Sequence, residues 1–461
     1  MNKDTREAYK LFHDGTIALS YAEQHGLRVD TEYIRKQNGE ISGKIKQLEN
    51  EFKATKFFKD WESSTKKAIN IYSGAQLGTF LYRVKKIEPV KTTAKGTAST
   101  DEEALNQLNI PELQILLRIK KLKAIRDTFL ASIYREQVDG HLRPFFNLHL
   151  VRTYRSSSDK PNFQNVPKRD KESMQIVRKS LYPRKGHQLL ELDYKQLEVR
   201  IAACYNEDEK LMYDIEHGDM HGDMAKELFV INNFDGNEPT HSVLRAAAKN
   251  GFVFPQFYGD YYKNCSEYLI GTWCKLSTKT KWKKGEGIEF ENGNISDHLI
   301  EQGFRRMNDF TEHVRNIEAD FWGKRYRKYD RWKQQWWRQY LKDGFFESKT
   351  GFTFKGVYTF NDVTNYPIQG SAFHVLLWSL IEGITAQRRG GWRSRILGQI
   401  HDAIVIDVYP PELDKVIHIM KCIMENDVRQ HWPWIITPLV IDAELCPVDG
   451  SWAEKEKYKI D

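Results

Sequence analysis

A short apolar run, Leu189, Leu190 and Leu192, has the length of a buried strand and stops at Asp193. From Gln196 the pattern changes period, and Leu197, Val199, Ile201, Ala202 and Ala203 read as the buried side of a helix that also carries Glu198. Far downstream two more apolar strands, Arg395–Ile400 and Ala403–Val408, flank His401 and Asp402, which predicts a tight hairpin. Residues 36–130 instead show long charged helical stretches, with a polar loop rich in Thr, Ala and Gly over 91–99. A further helix over 318–340 interleaves basic and aromatic residues, with core packing on one face and solvent or nucleic acid on the other.

Asp193 at a strand-to-helix junction fits a helix cap as well as a metal ligand, so alone it decides little. With Asp402 it decides more. Two aspartates at one sheet edge suit a two-metal phosphoryl-transfer site, because Mg²⁺ takes hard oxygen ligands and is held by one or two carboxylates plus substrate phosphates. A nucleotide substrate follows from that chemistry.

The residues also carry a resemblance. DYKQLEVR (193–200) resembles motif A of the family A, or DNA polymerase I-like, DNA polymerases, and QIHDAIVID (399–407) resembles their motif C. Between them, RAAAKNGFVFPQFYGD (245–260) resembles motif B, the helix that receives the incoming nucleotide. Residues 9–33 resemble the start of the family's polymerase domain, FFNLHLVRTYRSSSDKPNFQNVP (145–167) its "TGRLSS..PNLQNIP" segment, and NYPIQGSA (365–372) its "NtPiQGtA" helix.

The resemblance implies an α/β fold of the α+β type, a right-hand polymerase with an antiparallel-sheet palm, helical fingers and a helical thumb. Its divisions fall at 1–35 (palm-associated), 36–130 (thumb), 131–205 (palm), 206–343 (fingers) and 344–461 (palm). It implies template-directed addition of deoxynucleotides to a primer 3′-hydroxyl with two Mg²⁺ ions, replaceable by Mn²⁺. Asp193, the Tyr194 carbonyl and Asp402 are the implied metal ligands, and Asp193, Asp402 and Lys249 the catalytic set. Arg245, Phe254, Tyr258, Glu198, His221 and Gln196 are expected at the nucleotide, with Glu198 excluding a 2′-hydroxyl. Arg155, Asn365, Gln369 and His401 are expected on primer–template DNA. Phe254 in place of tyrosine implies discrimination against dideoxynucleotides.

The chain departs from the family at several positions. Tyr154 replaces a glycine, Ala403 follows Asp402 where a glutamate is usual, and the arginines usual near 344–356 are missing. Lys249 and Phe254 are five apart where the family has four. In an unbroken α-helix the extra residue swings Phe254 about 140° from Lys249. A π-bulge between Asn250 and Pro255 restores the register; otherwise Phe252 takes the place of Phe254.

Composition changes this picture little. A net charge of +7 suits DNA without proving it, and the 12 Trp, 22 Tyr and 24 Phe are core residues first and stacking platforms second. There is no apolar run of membrane-spanning length and no signal peptide, and five scattered cysteines suggest reduced thiols. The expectation is a monomeric, cytoplasmic, phage-type enzyme, in host cytoplasm if phage-encoded. It lacks an in-chain 3′–5′ exonuclease and works with separate processivity, helicase or exonuclease factors. Two alternatives stand beside it, a single-subunit RNA polymerase and a non-catalytic primer–template-binding subunit.

Overall fold

The computed structural model describes residues 3–90, 92–93, 96–108, 110–168 and 170–460, so Lys91, Ala94 and Lys95 of the expected polar loop lie outside the described residues. The chain forms a mixed helix-and-sheet fold divided into two compact units. One comprises Met1–Ser42, Lys123–Asp208 and Lys328–Asp461, the other Gly43–Leu122 and Glu209–Arg327.

The first unit is built on a five-stranded antiparallel sheet. Its strands are β1 (Gln188–Tyr194), β2 (Arg395–Ile400), β3 (Ala403–Val408), β4 (Ile441–Leu445) and β5 (Glu456–Tyr458), in the order β2-β3-β1-β4-β5. The central strand β1 is buried almost throughout because both faces are covered. On one face Tyr194 bonds Ser379 and the Met424 carbonyl. On the other, Glu191 sits among Arg178, Lys455 and Trp452.

The long helix Phe360–Arg389 starts with a Thr359–Asp362 capping box and tolerates Pro367 in its second turn. Gly370 lets it approach the loop that holds Thr153 closely, since a Cβ there would lie 2.6 Å from the Thr153 carbonyl oxygen. Next to that contact His374 is fully buried and stacked on Phe352 with ring centroids 4.0 Å apart. Its Nε2 donates to the Tyr154 carbonyl at 3.1 Å, so Nδ1 accepts from the Thr350 hydroxyl at 2.7 Å.

Burial lowers the His374 pKa to about 3, against the opposing hydrogen bond to Tyr154. The unfolded chain therefore takes up this proton first as pH falls. Its contribution to stability is complete above the ordinary histidine value of about 6.5 and is lost progressively toward pH 3, at up to about 1.4 kcal/mol per pH unit. Urea midpoints between pH 7 and pH 4 are expected to fall for the native chain and to fall less steeply for His374→Gln, which cannot titrate.

The second unit is helical. The helices Met220–Phe229 and Pro239–Ala248 pack together, as do Tyr262–Tyr268 and Met307–Asp320. In the lysine-rich stretch after Trp273, Trp282 is buried, its indole donates to the Ser277 carbonyl at 2.8 Å and its amide to the Arg305 carbonyl at 2.8 Å, which anchors the stretch. The single helix expected over 318–340 is absent. A π turn, Phe321–Arg325, and a break at Tyr326 (φ −117°, ψ 49°) separate Met307–Asp320 from the helix Arg327–Asp343. The cause is a buried polar contact invisible to periodicity, since Tyr326 and Arg325 both bond Asp214. No helix among the described residues is long and apolar enough to cross a membrane.

Candidate active site

Residue types at the end of β1 dictate its geometry. The strand runs to Tyr194, whose amide donates to the Asp402 carbonyl at 3.1 Å, while Lys195 donates to Val440 on the other side at 2.8 Å. Gln196 then adopts a left-handed conformation (φ 51°) and serves as N-cap of the helix Leu197–Asn206 without a side-chain capping bond. The capping reading of Asp193 therefore fails. Its carboxylate instead accepts a hydrogen bond from Lys168 Nζ at 2.8 Å.

Asp193 pairs in register with Ala403, so Asp402 comes one residue from it across the sheet. The expected hairpin is present, with His401 left-handed (φ 51°) and exposed at its tip and Asp402 partly buried. Glu198, on the first turn of the helix Leu197–Asn206, bonds Arg155 at 2.7 Å. Three carboxylates and two cations thus share one neighbourhood. Burial pushes the Asp402 pKa up to about 7, Glu198 and Asp193 push the same way, and Arg155 and Lys168 oppose them.

Arg155 is held from behind. Tyr154 accepts a left-handed backbone (φ 57°), which is costly for a bulky residue, while its ring packs on Phe352 and Phe354 and its hydroxyl donates to the Thr353 carbonyl at 2.8 Å. Asn365 and Gln369 lie four apart on the helix Phe360–Arg389, both part-exposed.

The second unit carries the other predicted residues. The helix Pro239–Ala248 passes into a π turn over Lys249–Val253, closed by the Phe254 amide on the Lys249 carbonyl, before the α-helical turn Phe254–Phe257. The extra residue is absorbed where the Lys249-to-Phe254 spacing requires it. Lys249 Nζ lies 5.2 Å from the Phe254 ring centroid, and the rival Phe252 is buried against Phe321. Tyr258 ends the helix half-exposed, and Gly259 supplies the positive φ (85°) of the turn.

His221 meets Phe254 edge-to-face at 5.7 Å, and Arg245 forks onto Asp219 at 2.7–2.8 Å. Burial lowers the His221 pKa to about 4, Lys249 and Arg245 add to the effect, and Asp219 opposes it. Its ring is neutral near pH 7, with a buried Nδ1 that has no hydrogen-bond partner among the described residues. A cationic and aromatic surface of this kind can bind a polyphosphate and a sugar.

Within the first unit the structure brings together Asp193, Tyr194, Gln196, Glu198, Arg155, His401 and Asp402, with Asn365 and Gln369 on a neighbouring helix. Within the second it brings together His221, Arg245, Lys249 and Phe254, with Tyr258 at the end of the same helical run. Lys168 escaped the sequence reading because it belongs to an ordinary charged run, KRDK, with no distinguishing spacing.

The sequence profile of DNA polymerase family A matches residues 31–273. The DNA polymerase I of Caldicellulosiruptor bescii is 27% identical over 419 residues, covering 90% of this chain and 44% of that protein. The DNA polymerase I of Geobacillus stearothermophilus is 25% identical over 436 residues, covering 93% and 44%. The chain thus spans less than half the length of these relatives. Among solved structures, the POL domain of Pol1 from M. smegmatis, in complex with DNA primer-template and dNTP, aligns with a TM-score of 0.74. That alignment covers 96% of this chain and 70% of the other at 23% identity, a likeness of fold.

Proposed function

The chain belongs to DNA polymerase family A, and on that premise we propose that it extends a DNA primer by template-directed addition of deoxynucleotides. The observation that carries this reading is the juxtaposition of Asp193, at the end of β1, and Asp402, in the turn that leads into its registered partner β3, beside Glu198. The primer 3′-hydroxyl attacks the α-phosphate and pyrophosphate leaves.

The residues present fit a divalent cation. Their donors are hard oxygens, Glu198 and Asp193 add to the burial that raises the proton affinity of Asp402, and an ammonium already rests on Asp193. Asp193, Asp402 and the Tyr194 carbonyl would hold Mg²⁺, or Mn²⁺ in its place. When bound, two such ions lower the proton affinity of the primer hydroxyl and offset charge at the reacting phosphoryl group.

The chain's own residues do the rest. Lys249 and Arg245 neutralise the triphosphate, and His221, edge-to-face on Phe254, stands beside them at the nucleotide. Phe254 packs the sugar, Tyr258 with Gly259 flanks the templating base, Gln196 contacts the nucleotide, and Glu198 blocks a 2′-hydroxyl. Arg155 offers a donor to the minor-groove acceptors that all base pairs share, and Asn365, Gln369 and His401 contact primer and template.

The test is extension of a labelled primer on a DNA template with Mg²⁺, using deoxy-, ribo- and dideoxynucleotides in parallel. Deoxynucleotides are expected to be strongly preferred over both others. Equal use of ribonucleotides would favour an RNA polymerase, and DNA binding without turnover by the folded chain would reduce it to a binding subunit. Equal use of dideoxynucleotides would remove the role given to Phe254.

A further inference from the structure

Lys168 is placed by a stiff arm. The chain before it makes a 3₁₀ turn at Phe163–Asn165, and Pro167 then presents its carbonyl to Arg178 Nε at 2.9 Å. Arg178 is itself almost fully buried, paired with Glu191 at 3.0 Å and lying over the Trp452 ring at 4.3 Å. The lysine thus starts from a backbone fixed to the face of β1 that carries Glu191 and Asp193, and its Nζ reaches Asp193 Oδ2 at 2.8 Å. Both side chains stay partly open to solvent, at 42% and 31% exposure, so the contact can open without unpacking the core.

We propose that Lys168 is a built-in counter-cation for Asp193, a positioning residue that competes with the metal and sets the concentration at which it binds. The inference rests on Asp193 being a metal ligand. A dication approaching Asp193 meets an ammonium on the same carboxylate, and must displace it and overcome its repulsion. The same contact holds the Asp193 carboxylate in one orientation while no metal is bound. The cost is a higher metal requirement than the two aspartates would impose alone.

The experiment is titration of the full chain with Mn²⁺ alone, without DNA or nucleotide, reading free Mn²⁺ by electron paramagnetic resonance. Five proteins are compared: native, Lys168→Met, Lys168→Gln, Lys168→Arg and Asp193→Asn. Lys168→Met is expected to bind Mn²⁺ about tenfold more tightly, equivalent to about 1.4 kcal/mol, and Lys168→Arg to stay near native. A merely structural lysine would not give tighter metal binding on removal. Unchanged or weaker binding by Lys168→Met, where native binding is lost in Asp193→Asn, overturns the proposal and leaves the metal site standing. Binding unaffected by Asp193→Asn overturns the metal-ligand reading and the proposal with it. Because Lys168 is part-exposed, matching thermal midpoints are expected, and Lys168→Gln serves as the second neutral variant.

Discussion

Asp402→Ala is expected to lower primer extension by at least about 10³-fold, roughly 4 kcal/mol of transition-state stabilisation, while leaving the metal-free chain no less stable. The two halves of this result come from one environment. Burial, Glu198 and Asp193 raise the Asp402 pKa to about 7, so the folded state holds a proton that the unfolded state has released. Its contribution to stability is therefore present below about pH 4 and is lost as pH rises through about 7. At pH 8 with chelator present, the ionised carboxylate opposes folding, and removing it is expected to raise the melting point slightly. Thermal melts at pH 5 and pH 8 with single-turnover extension rates make the check. A lower melting point at pH 8 would mean that the residue supports the hairpin rather than the chemistry.

Glu191→Ala is expected to be the most destabilising single change near the site, costing about 3–5 kcal/mol. Glu191 lies on β1 two residues before Asp193, on the same face of the strand. Its carboxylate accepts from Arg178 Nη1 at 3.0 Å, Lys455 Nζ at 2.6 Å and the Trp452 indole, and Lys455 also pairs with Glu444. Burial disfavours its charge, but Lys455 and Arg178 outweigh that and hold the pKa below the usual carboxylate value. The stabilisation is present above the ordinary pKa of about 4.3 and is lost as pH falls through the depressed value. Truncation takes the carboxylate from Arg178, which is almost fully buried, and leaves Lys455 with Glu444 alone. Urea unfolding followed by tryptophan fluorescence measures the cost. The pair Glu191→Leu with Arg178→Met should recover most of it, because an apolar replacement of a buried ion pair removes the desolvation penalty along with the attraction.

The sheet edge was legible in the sequence because each part of it is local. Apolar runs of strand length named β1, β2 and β3, and a polar pair between two such runs named the hairpin that holds Asp402. The π turn was legible for a related reason, since a five-residue Lys249-to-Phe254 spacing has few ways to keep both side chains on one face. What escaped depends on partners remote in sequence. Lys168 matters only because Pro167 is tied to Arg178, and Tyr326 breaks its helix only because Asp214 lies within reach. The packing of 43–122 with 209–327 in one unit likewise rests on contacts between distant segments. The left-handed backbone of Tyr154 is a further case, as its strain is offset by rings from elsewhere in the chain.

The order of strands also fixes when the site can exist during synthesis. The central strand β1 has no partner adjacent in sequence: on one side it waits for Ala403–Val408 and on the other for Ile441–Leu445. A nascent chain that has emerged only through the second unit therefore carries Asp193 on an apolar strand with both edges unpaired, exposed to wrong pairing until late in translation. High contact order slows such closure. The same arrangement ensures that no nascent chain can present both aspartates before Ala403–Val408 has emerged.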